Sequence, residues 1–397
     1  MATSVLKRNI KDYRKFNLLL LTTALFPVLS IGAFNVLIDP YGVIYSPAFP
    51  GLNWLKPEQD KHNKLFKTID IIRFKPTTIL IGSSRAVMGL DPNHPGLADR
   101  QNAYNLGIPG MHMRELSQYL RHALDNQPKI KQVVIGLDFF MFNGNVSKNK
   151  AQPDETLGKT SIPIQSLINV IFSWETLESS QITVASNQKG LNLIPYYSKG
   201  MRNNEPKINP HLNEPLVPIK ARFKIDISNY LNNTAFYKNY RLDSSLLQEY
   251  KELVELCNQK NIELKIFISP ESAAQLEAIR AAGLWSGFEQ WKREVSQITP
   301  VWDFSSYNSI TTEPITNEMK YFVDGTHYRK EVGDLILNRI LNYNPKIVKN
   351  DFGILITPKN IESHLDKIRT EREVWSKKHP DVVKWVQGLK LSPARKR

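Results

Sequence analysis

Residues Leu18 to Ile38 read LLLLTTALFPVLSIGAFNVLI, 21 positions without a charge. A helix rises about 1.5 Å per residue, so the run is long enough to cross a hydrocarbon core of about 30 Å. Such a segment spans a membrane, is removed as a signal peptide, or is buried in a soluble core. Its flanks separate these choices. Lys7, Arg8, Lys11, Arg14 and Lys15 stand before it, and Asp39 stands just after. Basic residues are retained on the cytoplasmic side. The asymmetry therefore predicts a signal-anchor, with 1–15 a cytoplasmic basic segment, 16–38 in the membrane and the main domain extracytoplasmic. A signal peptide would carry a shorter apolar stretch, and Ser30-Ile31-Gly32 and Gly32-Ala33-Phe34 are weak cleavage patterns. Pro27 is expected as a kink, which a membrane helix tolerates.

The distribution of the remaining charge narrows the function. Of the net +14, +4 falls in residues 1–15 and +7 in 346–397, which leaves +3 for 39–345. Nucleic-acid enzymes carry their basic face on the folded domain, so no nucleic-acid partner is expected. The one cysteine, Cys257, excludes an intrachain disulfide and a cysteine-rich metal site. It shares a helical stripe with Leu246, Leu247, Tyr250, Leu253 and Val254, which makes it a core residue rather than a nucleophile.

After the anchor, Asp39-Pro40-Tyr41-Gly42 reads as a turn, and a short helix is expected near 60–73. Three runs read as buried strands: Thr77–Gly82, Gln132–Gly136 and Ile262–Ile268. Met113, Leu116, Leu120, Ala123 and Leu124 predict a helix over 112–126, and Val332, Leu335, Ile336 and Ile340 mark another. Strands alternating with helices imply a mostly parallel sheet with helices on both faces. The stretch 141–242 breaks that rhythm. It is rich in Asn, Lys and aromatics (Trp174, Tyr196, Tyr197, Tyr230, Phe236, Tyr237, Tyr240) and reads as an insertion above the C-terminal ends of the strands. The aromatics either pack the insertion or bind glycan. In 346–397, Ile361, Leu365, Ile368 and Trp375 predict an amphipathic helix that packs back on the domain, or else a solvated tail; the end is basic, Ala394-Arg395-Lys396-Arg397.

Four short motifs could carry chemistry. Gly82-Ser83-Ser84-Arg85 follows the first strand. A serine there sits where a helix begins and backbone N–H groups are free to hold an oxyanion. Alone, the motif is more often only a turn with a helix cap. Asp324-Gly325-Thr326-His327 supplies what a serine lacks, an imidazole base and a carboxylate to orient it. His62, His94, His112, His122, His211, His364 and His379 lack that arrangement, and none forms a zinc-like pattern. Asn105-Leu106-Gly107-Ile108-Pro109-Gly110 precedes the 112–126 helix, and Gly136-Leu137-Asp138 ends the second strand.

Together and in this order, these motifs resemble the SGNH (GDSL-like) hydrolase family. The resemblance covers roughly 77–341, within an expected domain 39–345 followed by the tail 346–397. It implies an α/β fold, a flavodoxin-like α/β/α sandwich, and serine acyl transfer without cofactor or metal. Ser84 is then the nucleophile, His327 the base and Asp324 its partner, with the Ser84 and Gly110 N–H groups as the oxyanion hole. Asn105, Arg85 and Asp138 are the expected substrate contacts. Two positions depart from the family pattern. Ser83 replaces an acidic residue, and Asp138 stands where an Asn donor is expected. A carboxylate cannot donate unless protonated, so Asp138 is expected to bind an acceptor hydroxyl or to pair with Arg85.

The anchor and the Gly-Ser-Ser-Arg sequence further resemble a membrane-bound branch, the AlgJ/AlgX-type and DltD-like proteins. These acetylate exported polysaccharides together with a membrane-bound O-acyltransferase. The implied activity is acyl transfer, as transferase or esterase, on a carbohydrate or acyl-ester substrate. The alternative is a non-catalytic scaffold or glycan-binding partner of the same shape.

Overall fold

The computed structural model describes residues 2–147, 157–162, 164–189, 199–202 and 217–391, with side chains from 12 to 390. Tyr196, Tyr197, His211 and the basic end at 394–397 lie outside these residues. In chain order the helices are α1 (Ala2–Ile38), α2 (Asn63–Phe74), α3 (Ser84–Gly89), α4 (Met113–Asn126), α5 (Gly144–Ser147), α6 (Ile164–Ile171) and α7 (Trp174–Gln188). They continue as α8 (Ile219–Asn232), α9 (Ser244–Gln259), α10 (Ala273–Ala281), α11 (Trp285–Ile298), α12 (Lys330–Ile340), α13 (Ile361–Lys378) and α14 (Pro380–Leu391). The strands are β1 (Thr78–Ile81), β2 (Ala103–Asn105), β3 (Gln132–Leu137), β4 (Glu263–Ile268), β5 (Val301–Asp303) and β6 (Ile354–Ile356).

The chain forms two compact units. The first comprises residues 1–66, 162–195 and 210–213; the second comprises 67–161, 196–209 and 214–397. In the first unit α1 holds a stretch, Asp12–Ile38, long and apolar enough to cross a membrane. Pro27 lies inside α1 without ending it. The expected exit turn forms: the Gly42 N–H donates to the Asp39 carbonyl at 3.1 Å, and Gly42 takes φ +71°. The last turns of α1 pack on α6 and α7. There Asn35 Nδ2 donates to the Ile171 carbonyl at 2.8 Å, and Ser180 Oγ donates to Asn35 Oδ1 at 2.9 Å.

The second unit is built on a six-stranded sheet in the order β2-β1-β3-β4-β5-β6. The pairs from β2 through β5 are parallel, and β6 runs antiparallel to β5. Every residue of β1 and β3 is buried, as a sheet covered on both faces requires. The long apolar runs place β1, β3 and β4 as the sequence predicts. β2, β5 and β6 have three residues each, too few to show a pattern.

α4 buries the expected Met113, Leu116, Leu120, Ala123 and Leu124, and Cys257 is buried in α9. The described aromatics of 141–242 mostly pack. Tyr230 stacks on Phe236 at 4.0 Å, and Tyr240 lies 4.1 Å from Phe139. Phe172 and Trp174 are exceptions, 44 % and 68 % exposed.

The C-terminal segment is no solvated tail up to residue 391. It adds β6 to the sheet, and α13 buries Ile361, Leu365 and Ile368. Residues beyond 345 therefore belong to the same unit as the sheet. A buried ion cluster fastens them: Lys292 Nζ donates to Asp303 Oδ2 at 2.7 Å, and His364 Nε2 lies 2.8 Å from the same oxygen. Burial alone would raise the Asp303 carboxyl. The neighbouring Lys292 charge and the His364 contact outweigh it and hold the group below the usual carboxylate range.

Candidate active site

The turn after β1 has little room. A Cβ on Gly82 would lie 2.8 Å from both the Ala86 Cβ and the Gly136 carbonyl oxygen, so only glycine lets the chain pass here. Ser83 follows as the N-cap of α3, its Oγ accepting the Arg85 N–H at 3.2 Å. Ser84 is thus the first residue of α3, where backbone N–H groups lack intrahelical partners. Its side chain is half-buried.

The Ser84 Oγ lies 2.8 Å from His327 Nε2. The other ring nitrogen, Nδ1, lies 2.8 Å and 2.9 Å from the two Asp324 oxygens. The turn itself clamps Asp324, whose Oδ1 accepts the Thr326 and His327 N–H groups at 2.9 Å and 2.8 Å. Burial pushes the Asp324 carboxyl up, but the contact with His327 and these bonds outweigh it and keep it ionised well below the usual range. A hydroxyl on an imidazole whose far nitrogen rests on a carboxylate can be deprotonated as it attacks.

Beneath the serine lies a buried charge cluster. Arg85 is 1 % exposed. Its Nη1 donates to Asp138 Oδ1 at 2.8 Å and to Glu271 Oε1 at 2.7 Å, and Nη2 donates to Glu271 Oε2 at 2.9 Å. Nε donates to the Thr326 carbonyl at 2.9 Å, which ties α3 to the histidine loop. Ser83 Oγ donates to the other Asp138 oxygen.

These bonds bear out the expected pairing of Asp138 with Arg85 and revise the three expected substrate contacts. Arg85 and Asp138 spend their polar atoms on each other and on the interior, so neither is presented to a substrate. Asn105 is fully buried, with Nδ2 donating to the Ala86 and Leu90 carbonyls at 3.0 Å and 2.8 Å and Oδ1 accepting the Gly107 N–H at 3.0 Å. It closes the C-terminal end of α3. The loop that follows is laid along the Gly82-Ser83-Ser84 turn by the Leu106 N–H on the Leu80 carbonyl (2.7 Å) and the Ile108 N–H on the Gly82 carbonyl (3.0 Å). Gly110 stands two residues further on, exposed at φ +70°, with open space where a Cβ would be.

Two site residues escape the sequence reading. Glu271 follows β4, and its place just past a strand end was the available signal. Asp226 on α8 gives no signal. A Cβ on Gly325 would meet the Asp226 Cβ at 3.3 Å, so the glycine of Asp-Gly-Thr-His admits α8. Side-chain ligand atoms of Asp226, Asp324 and His327 all lie within 4.8 Å of one another. Carboxylates and imidazole are donors that a cation would accept, but here both His327 nitrogens are already bonded. Burial, then the Asp324 charge, pushes the Asp226 carboxyl up to about 7. A protonated Asp226 can donate to Asp324 and leave a single negative charge behind the histidine.

The sign of the linked stability follows. A carboxyl raised on folding binds a proton in the folded state that the unfolded chain has lost, so stability falls as pH rises from about 4 to about 7. Asp226→Asn, which mimics the neutral form, is expected to melt above wild type at pH 8. The gap should close as pH falls through that window. An equal gap at pH 8 and pH 5 would show that Asp226 is not perturbed.

No family model matches this chain, and comparison with curated proteins gives no match.

Proposed function

We propose that this protein is a membrane-anchored serine acyl-transfer enzyme that moves an acyl group, acetyl by preference, onto or off a cell-envelope polysaccharide outside the cytoplasm. The observation that carries this reading is the unbroken chain from Ser84 Oγ through His327 to Asp324. Ser84 Oγ attacks the ester carbonyl while its proton passes to His327 Nε2. The oxyanion is held by the Ser84 and Gly110 N–H groups. Collapse breaks the ester C–O bond, and the leaving alcohol takes the proton from His327. A sugar hydroxyl or water then attacks the acyl-serine with His327 again as base, and Ser84 is restored.

The strand order 2-1-3-4-5 supports a flavodoxin-like arrangement, in which sites lie past the C-terminal ends of the strands. Ser84, Asp138 and Glu271 all follow such ends. The apolar run in α1 and its basic N-terminal flank support anchoring with the second unit outside. The Asp138 charge, which favoured a non-catalytic scaffold, is offset by Arg85.

A fluorophosphonate, which needs an activated serine, tests the reading. Peptide mapping is expected to find the phosphonyl group on Ser84. Folded protein that leaves Ser84 unmodified would remove the catalytic assignment.

A further inference from the structure

The first unit carries apolar surface that its own fold does not cover. Residues 164–174, Ile-Gln-Ser-Leu-Ile-Asn-Val-Ile-Phe-Ser-Trp, contain no charge. Ile164 and Trp174 are 69 % and 68 % exposed, and Ile168 and Phe172 are more than two-fifths exposed. The segment is fixed to α1 at a defined height. A Cβ on Gly32 would lie 2.4 Å from the Phe172 ring, so the glycine lets α6 close on α1. Asn35, fully buried, spends its amide on the Ile171 carbonyl and the Ser180 hydroxyl. Gly32 lies six residues before the end of α1, about 9 Å along the axis. If α1 crosses the bilayer, that height is the boundary between headgroups and acyl chains, where apolar helix faces enter by about 5–10 Å.

A second part of the unit lies at the same end. The Asn53 Nδ2 donates to the Leu37 carbonyl at 2.9 Å, and Ser46 Oγ donates to the Val36 carbonyl. The loop thus held carries Tyr45, Phe49 and Trp54, all exposed. Trp and Tyr are the residues enriched where a membrane meets water.

We propose that α6 and its flanking Phe172 and Trp174 lie in the outer interface of the lipid bilayer, forming with α1 a two-part membrane foot. The inference rests on the reading that α1 spans the membrane. The occupant of the apolar face is lipid, because the face continues directly from the apolar surface of α1, shares its lack of charge and is pinned to its last turns.

The experiment uses the full chain in phosphatidylcholine–phosphatidylglycerol vesicles. Cys257 is buried, so an added surface cysteine takes an environment-sensitive nitrobenzoxadiazole label selectively, with the parent protein as labelling control. Three single variants are compared: Ile168→Cys, Leu25→Cys in mid-span and Lys251→Cys on the exposed face of α9. Lipids spin-labelled near the headgroup are expected to quench the probe at 168 more than lipids labelled deep in the chain. The order should reverse at 25, and neither lipid should quench at 251. A probe at 168 that behaves like that at 251, with 25 still quenched, overturns the inference and leaves the anchor intact. A blue-shifted but unquenched probe at 168 also overturns it, since protein rather than lipid then covers the face. Loss of quenching at 25 overturns the anchor itself and the foot with it.

Discussion

Ser84→Ala and His327→Ala are each expected to abolish turnover of an activated acetyl ester while the fold is retained, and the double variant is expected to be no worse than either single one. The two groups form one relay. With the hydroxyl gone there is nothing for the imidazole to deprotonate, and without the imidazole the hydroxyl remains a poor nucleophile. In serine enzymes that use such a relay, either loss costs on the order of 10⁶ in kcat, and the losses do not add. Asp324→Asn should keep the loop but offer an amide where Nδ1 needs an acceptor, which favours the wrong tautomer. The expected loss is about 10⁴ in kcat. Melting curves on each variant separate lost chemistry from lost structure. Turnover by Ser84→Ala at the wild-type rate would end the assignment of Ser84 as nucleophile.

Arg85→Met should be the most damaging single change to the second unit. Methionine keeps much of the side-chain length but removes every bond that the guanidinium makes. Asp138 and Glu271, 1 % and 3 % exposed, would face each other without a counter-charge, and the Thr326 carbonyl would lose its donor. Stranding a buried charge by deleting its partner costs about 3–5 kcal/mol, a Tm drop of roughly 10 °C for a unit of this size. The loss should be smaller at pH 5 than at pH 8. Burial, with help from Asp138, already raises the Glu271 carboxyl against the opposing pull of Arg85. Once the arginine is gone, protonation is the remaining way to relieve the cluster. Adding Glu271→Gln should recover part of the stability at pH 8. A Tm within a degree or two of wild type would mean that the cluster contributes little to the folded state.

The cluster also answers the question posed by Asp138. A carboxylate near a developing oxyanion looks like a handicap when only its neighbours in sequence are known. Its charge is already engaged by Arg85 from α3, the helix that follows the neighbouring strand β1, and by the Ser83 hydroxyl. The arginine in turn clasps Glu271, 186 positions away. Asn105 is a similar case: the residue type suited a substrate contact, and burial turned its amide inward. Polarity is written in the sequence. Whether a polar group meets solvent or another buried group depends on what the rest of the chain packs over it.

What the sequence by itself determined is what short-range physics controls. The uncharged run lies within α1, the long apolar strands became β1, β3 and β4, and apolar spacing marked α4, α9 and α12, because periodicity acts over a few residues. The Asp324–His327 contact is local too, since the partners are three positions apart on one turn. Only the tertiary structure decided that Ser84 lies 2.8 Å from His327 across 243 positions. It alone recruited Asp226 from the insertion, made strands of three-residue segments, and drew the C-terminal residues into the sheet. Each of these depends on distant parts of the chain arriving together. The free energy that holds them comes from burying and pairing groups that have no preference for one another until the core has formed.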